Sequence, residues 1–227
     1  MTGRPNDAND TALPDRRGRS PAPSILDRWG ISAALLTRLV DDNPSLRGML
    51  LGYVAEHKLS ELLAANADVS SSMKYDDHDR TNKGDRVIEY KGRRFVIESK
   101  SLQTNTVREK DGILIGKAQV DASDRRTVTF GDGSRRDTTL LLYGDFDVLA
   151  VNCFAFRNEW RWLYCKNSDL PCSTYRKYTL EQRRQLIASL VTVSSPPRTP
   201  FSENLFDVLE DLIKSRGGAA RPASPSA

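Results

Sequence analysis

The sequence predicts an α/β (α+β) fold in which a central mixed β-sheet is flanked by helices. Three stretches carry that reading. Residues 45–65 place Leu46, Met49, Leu50, Tyr53, Val54, Leu59, Leu62 and Leu63 at helical spacing. Residues 84–104, GDRVIEYKGRRFVIESKSLQT, hold two runs rich in β-branched and aromatic residues, folded about Lys91-Gly92. Residues 144–156, GDFDVLAVNCFAF, are almost continuously apolar past Asp147, which suits a central strand covered on both faces. Helices, hairpin, strands and helices again, in that order, make a layered α/β sandwich.

Length and composition bound the classes. A chain of 227 residues fits one domain with a substantial core. Its 38% hydrophobic and 28% charged residues are ordinary for a globular protein and exclude a chain that is disordered throughout. The net charge is +4, and the basic residues bunch in and after the hairpin. Arg93, Arg94, Lys100, Arg108, Lys110, Lys117, Arg125, Arg126, Arg135 and Arg136 suit a polyanion such as double-stranded DNA. Cys153, Cys165 and Cys172 are odd in number and lack zinc-site spacing, so the expected compartment is a reducing cytoplasm. No apolar run reaches membrane-spanning length and the N-terminus lacks the apolar stretch of a signal peptide, so no membrane partner is expected.

Taken in order, residues 1–23 are rich in Pro, Arg, Asp, Gly and Ser and read as a disordered arm. Ser24 caps a short helix, SILDRWG, and Ser32 caps a second, SAALLTRLVDD, which ends before Pro44. The long helix of 45–65 follows, then a polar, turn-rich stretch from 67 to 83. After the hairpin, 111–122 reads as a short helix or an irregular insert, with Gly112 and Gly116 against regularity. Residues 126–130 and 138–143 read as strands around a Gly131-Asp132-Gly133 turn, and EWRWLY at 159–164 pairs back on the central strand. Thr179 caps a helix whose periodicity runs from Glu181 to Leu190, and 202–214 is an amphipathic helix. The chain divides as an arm (1–23), a single domain (24–216) and a disordered tail (217–227).

The hairpin carries the chemistry. A turn centred on Lys91 and Gly92 sets Tyr90 against Arg93, Glu89 against Arg94, Ile88 against Phe95 and Asp85 against Glu98. Opposed residues hold their Cβ atoms about 5 Å apart on one face, and two carboxylates so placed repel unless a cation lies between them. Alternation adds Lys100 to the same face, while Ile88, Tyr90, Phe95 and Ile97 form a core face. Two carboxylates and a lysine around a metal make a site for phosphodiester hydrolysis. The rival reading is an exposed hairpin charged for solubility and edge protection. Asp76, Asp77 and Asp79 are competing metal ligands; Asp85 is preferred because it alone falls opposite Glu98.

Asp85 followed by Glu98-Ser99-Lys100 resembles the D-x(n)-E-x-K signature of the PD-(D/E)xK nuclease superfamily, as does the wider DRTNKGDRVIEYKGRRFVIESKSLQT. The sequence departs from it in having Gly84, not Pro, before Asp85. The resemblance implies a restriction-endonuclease-like core of αβββαβ order and a nuclease domain over 24–216. It implies a catalytic set of Asp85, Glu98, Lys100 and Glu56, with Asp85, Glu98, Glu56 and the Ser99 carbonyl as ligands of Mg²⁺. Glu56 enters because GYVAEHKLSELL resembles the superfamily's helix before the hairpin; the bland alternative is a surface glutamate near Lys58 and Glu61. Ser101, Gln103 and Gln119 are the DNA-contact candidates, since Gln and Ser suit bases and phosphates.

The expected function is metal-dependent endonucleolytic cleavage of DNA, of restriction type. A homodimer is expected because cutting both strands needs two sites, and a cognate methyltransferase is the expected partner. The alternatives are a repair or junction nuclease, a DNA-binding module of the same fold without catalysis, and a structural or interaction protein.

Overall fold

The computed structural model describes residues 23–75 and 84–216. The tail, all but the last residue of the arm, and the rival acids Asp76, Asp77 and Asp79 with His78 lie outside the described residues. The chain divides into two compact units, one through Leu50 and one from Leu51.

The first unit is helical. Ser24 begins α1 (Ile25–Trp29) with a capping box, its hydroxyl accepting the Asp27 N–H while the Asp27 carboxylate reaches back; Gly30, at φ 62°, ends it. Ser32 caps α2 (Ala33–Asp42) by accepting the Leu35 N–H at 3.1 Å. Pro44 then opens α3 (Pro44–Ala64), whose first turns complete the unit.

The second unit holds the rest of α3 and an α+β sandwich. Its strands are β1 (Val69–Lys74), β2 (Arg86–Tyr90), β3 (Arg93–Ser101), β4 (Arg108–Lys110), β5 (Ile113–Gln119), β6 (Asp121–Thr129), β7 (Arg135–Leu140), β8 (Val148–Asn152), β9 (Trp162–Lys166) and β10 (Leu190–Ser195). Two more helices, α4 (Leu180–Gln185) and α5 (Leu205–Ser215), complete it. The central sheet runs β1-β2-β3-β8-β9 and is mixed, because β3 and β8 are parallel and the other neighbours antiparallel. A second sheet has the order β10-β5-β4, and β6 and β7 form a two-stranded ribbon.

Period-two alternation sends the two faces of the central sheet into different cores. Ile88, Tyr90, Phe95, Ile97, Val148, Ala150 and Tyr164 pack against Ala55, Leu59 and Leu63 of α3 and against Leu205, Leu209 and Leu212 of α5. Leu149, Val151, Leu163 and Cys165 face the other way, toward Ala118, Val191 and Val193 of the second sheet. Burying each of the Leu, Ile, Val and Phe side chains among them contributes about 1.5–3 kcal/mol. Cys153, Cys165 and Cys172 are all free thiols, and the first two are buried.

The hairpin takes the register expected of its turn from Arg86–Ile97 through Tyr90–Arg93. Lys91 (φ 49°) and Gly92 (φ 68°) both occupy the left-handed region, as a two-residue type I′ turn requires. Besides shifted bounds in β6, β7 and β9 and the unexpected β4, four elements differ most from expectation. Ser-rich β1 lies in the polar, turn-rich stretch yet is an edge strand, and its run of three serines gives no apolar signal. Residues 113–119 form β5, where inward Leu114, Gly116 and Ala118 alternate with outward Lys117 and Gln119. Gly116 lies where a Cβ would come within 3.3–3.4 Å of Leu102, Phe156 and Val107, so the glycine permits close packing rather than breaking the strand. Helix α4 stops at Gln185, and Leu190 opens β10, because the β-branched VTV run pairs with β5.

Gly84, the departure from the resemblance, has a structural cause. Its φ is 78°, which proline cannot adopt, and a Cβ there would lie 2.4 Å from Val96 Cγ1. Gly84→Ala is therefore expected to lower stability by about 2–4 kcal/mol. Gly133→Ala shares the positive φ (79°) but meets nothing within 4 Å, so about 1 kcal/mol is expected there. Urea unfolding of both variants measures the difference.

Candidate active site on the central hairpin

The site forms where β2 stops and β3 continues. The ladder ends at Arg86–Ile97, so Asp85 is not paired directly opposite Glu98 as the turn alone suggested. Its N–H instead donates to the Ile97 carbonyl at 3.0 Å. Its carboxylate turns back and accepts the Ser99 N–H at 2.7 Å. That contact brings Asp85 beside Glu98 and satisfies a strand amide that has no ladder partner. A strand residue sends its N–H and C=O to the same side, so the Ser99 carbonyl points past the end of β2 as well.

Glu98 and Lys100 share the face of β3 that meets the second sheet, their parallel neighbours on β8 being Leu149 and Val151. Lys100 Nζ lies 2.6 Å from Glu98 Oε1. Glu98 is only 5% exposed. Burial, together with the Asp85 carboxylate, pushes its pKa up to about 7, and Lys100 and Arg126 only partly oppose this. Burial pulls the Lys100 ammonium down, but Glu98, Asp85 and Asp121 outweigh it and leave it above the ordinary lysine value.

Two of the three DNA-contact candidates lie on the site side of β3, while Ser101 shares the opposite face with Ile97. Gln103 Nε2 donates to Gln119 Oε1 at 2.8 Å, and Gln119 in turn favours the charged form of Asp121. Ser101 is exposed and accepts a hydrogen bond from Asn152 at 3.2 Å. Sequence reasoning missed Asp121. One of its carboxylate oxygens is buried with no hydrogen-bond partner, and burial raises its pKa. The signal for it was the alternation Lys117, Gln119, Asp121, visible only once 113–119 is recognised as a strand. Arg126, on the same strand as Asp121, is held by an ion pair with buried Asp145.

Glu56 is placed differently. Its carboxylate makes an ion pair with Lys74 of β1 at 2.7 Å. With Asp85 it also favours the charge of buried Arg86, whose side chain donates to Ser72 at 2.9 Å. Glu56 thus approaches the site through Arg86, not through Glu98 or Lys100. His57 is exposed, 3.3 Å from Glu61.

Among the described residues, no group of three or more His, Cys, Asp or Glu side chains is arranged to hold a metal ion. The oxygen donors at the site are two carboxylates and a backbone carbonyl, the smaller kind of set with which Mg²⁺ retains several waters. Among the described residues no helix is long and apolar enough to cross a membrane.

Neither a protein-family model nor a curated protein matches the sequence. Among solved structures, the bacterial homing endonuclease I-Ssp6803I aligns over 61% of this chain and 87% of its own, at 17% identity and a TM-score of 0.35. An alignment of that quality assigns neither residues nor activity to this chain.

The state of Glu98 predicts a pH dependence for the metal-free protein. Its folded pKa, about 7, lies above the ordinary 4.5. The native state therefore keeps a proton that the unfolded chain releases. The resulting stability is fully present below about pH 4.5 and is lost as pH rises through about 7. In EDTA, the urea midpoint of the wild type is expected to fall between pH 5 and pH 8. Glu98→Gln, which imitates the protonated acid, is expected to show a clearly smaller fall.

Proposed function

We propose that this chain is a metal-dependent endonuclease that hydrolyses phosphodiester bonds in double-stranded DNA, of the restriction type. The observation that carries the reading is the meeting of Asp85, Glu98 and Lys100 at the end of β3, with Glu98 almost fully buried. Two neighbouring carboxylates there hold more negative charge than one lysine offsets, and burial magnifies the imbalance. A hard divalent cation complements such a donor set, and Mg²⁺ is the natural choice for all-oxygen ligands.

In this reading Asp85, Glu98 and the Ser99 carbonyl hold the cation. Bound Mg²⁺ supplies polarisation of a phosphoryl oxygen and a more acidic water. Asp85 is kept in place by the Ser99 amide. Lys100 has three donors and spends one on Glu98. The others remain to orient the attacking water or to meet charge that develops on the phosphate. Glu56 supports the site at a distance, its charge and that of Asp85 both favouring the Arg86 guanidinium. Gln103 and Gln119 face the substrate, and Ser101, on the other face of β3, would reach it only at the strand's end. Cleavage of both strands calls for two copies, hence a homodimer, and a host carrying such an activity calls for a protecting methyltransferase.

The test is cleavage of plasmid and genomic DNA, methylated and unmethylated, in Mg²⁺ or EDTA. Discrete fragments are expected in Mg²⁺ alone, with the rate reduced at least about 100-fold by Lys100→Ala. A lesser reduction, about 10-fold, is expected for Glu56→Gln, since it acts through Arg86. Intact DNA under every condition, with salt-sensitive binding equal in wild type and Lys100→Ala, would replace this reading with a non-catalytic DNA-binding module.

A further inference from the structure

The second sheet turns one face to the core and leaves most of the other open, where Ser194 is buried and Ile113 and Ile115 are half-buried. Its pairings fix which side chains share the open face. Arg108 lies opposite Ile115 and Lys110 opposite Ile113. Lys117 lies opposite Thr192 and Gln119 opposite Leu190. Arg108, Lys110, Lys117, Gln119 and Thr192 are all exposed. No carboxylate occupies a ladder position on this face. Glu109 belongs to the opposite face, against Leu114, and approaches Arg157 at 3.9 Å. Asp111 lies in the turn between β4 and β5, outside the ladder. Neither Lys110 nor Lys117 forms an ion pair among the described residues. The Arg108 guanidinium is braced on the Asn105 and Val107 carbonyls at 3.0 and 2.7 Å, which fixes its direction without neutralising it.

A sheet face exposed merely for solubility ordinarily mixes both signs. This one carries a single sign, and it leads to the site. The open side of β5 runs Lys117 and Gln119 and, past Val120, leads to Asp121 at the start of β6, whose carboxylate acts on the Lys100 ammonium. The four-residue step from Lys117 to Asp121 spans about 13 Å, or about four base-pair steps along a duplex. The face has no aromatic side chain on which bases of a single strand would stack, which favours a duplex held by its phosphates.

We infer that the open face of the β10-β5-β4 sheet is the surface on which duplex DNA lies, with Arg108, Lys110 and Lys117 on the phosphate backbone and Gln119 at the edge nearest the site. The inference rests on the proposed function for the choice of DNA as the polyanion, and it places that substrate on the molecule.

Binding in EDTA separates the two. Fluorescence anisotropy of a labelled 30-base-pair duplex of arbitrary sequence would be followed against salt for the wild type, Lys110→Gln/Lys117→Gln, and Arg176→Gln/Lys177→Gln as a charge-matched control. Thermal melting would confirm that each variant is folded. Loss of two phosphate contacts is expected to reduce the slope of log K against log salt by about 1.8. Affinity at 0.1 M salt is expected to fall more than 10-fold, with little change in the control. An unchanged slope, or an equal fall in the control, overturns the inference even if the protein cuts DNA. A reduced slope in a protein that never cuts upholds the surface and rejects the nuclease. Tighter binding to a single strand, to RNA or to anionic vesicles than to the duplex also overturns it.

Discussion

Strand β3 is hydrogen-bonded along both edges, antiparallel to β2 and parallel to β8, and the rest of the second unit is arranged around it. Its pairing with β2 ends at Ile97, four residues before the strand itself does. The amides beyond that point need partners, because a strand cannot leave them unsatisfied beside a core. The Asp85 carboxylate answers for Ser99. A structural requirement therefore holds the first acidic group of the site in place. Gly84 makes it feasible, since its positive φ and missing Cβ let the chain pass Val96 closely enough to begin the hairpin there.

The electrostatics follow from the same geometry. Glu98 lies on the strand with most of its surface covered, next to Asp85, and its charge is opposed by burial more than it is supported by Lys100. Replacing such a cluster with apolar side chains commonly costs little and often stabilises a fold, so packing alone gives no reason for these three groups. Arg86 extends the arrangement through the sheet: it lies on the helix side, buried, with Glu56 and Asp85 both favouring its charge. Helix α3 thus communicates with the hairpin by a guanidinium rather than by placing its own carboxylate among the others.

A parallel pair such as β3 and β8 needs a long crossover, commonly a helix. Here the described residues between them form β4 to β7 and a single 3-10 turn. The second sheet closes over the site side of the central sheet, joined to it where Leu102 bridges to Ala118 and where Gln103 donates to the Lys117 carbonyl at 2.9 Å. This corner, which the small Gly116 allows to pack tightly, carries Gln119 and Asp121 toward Lys100.

The sequence by itself determined the elements whose signals are local. The register from Ile88–Phe95 to Tyr90–Arg93 follows from one turn, the helix starts at Ser24, Ser32 and Thr179 from capping chemistry, and the covered strand at Val148 from an unbroken apolar run. The same locality made Glu98 and Lys100 legible as a pair, because residues two apart on a strand must share a face. Tertiary structure decided what depends on partners distant in the chain. Edge strand β1 exists because β2 accepts it, β5 because Leu102 and β10 do, and β10 because β5 outweighs a helical period that began at Glu181. The place of Asp121 beside Lys100, the hold of Lys74 and Arg86 on Glu56, and the turn of Asp85 onto the Ser99 amide are of this kind. Each joins groups whose separation is set by the packing of two sheets and a helix, and no residue spacing along the chain encodes it.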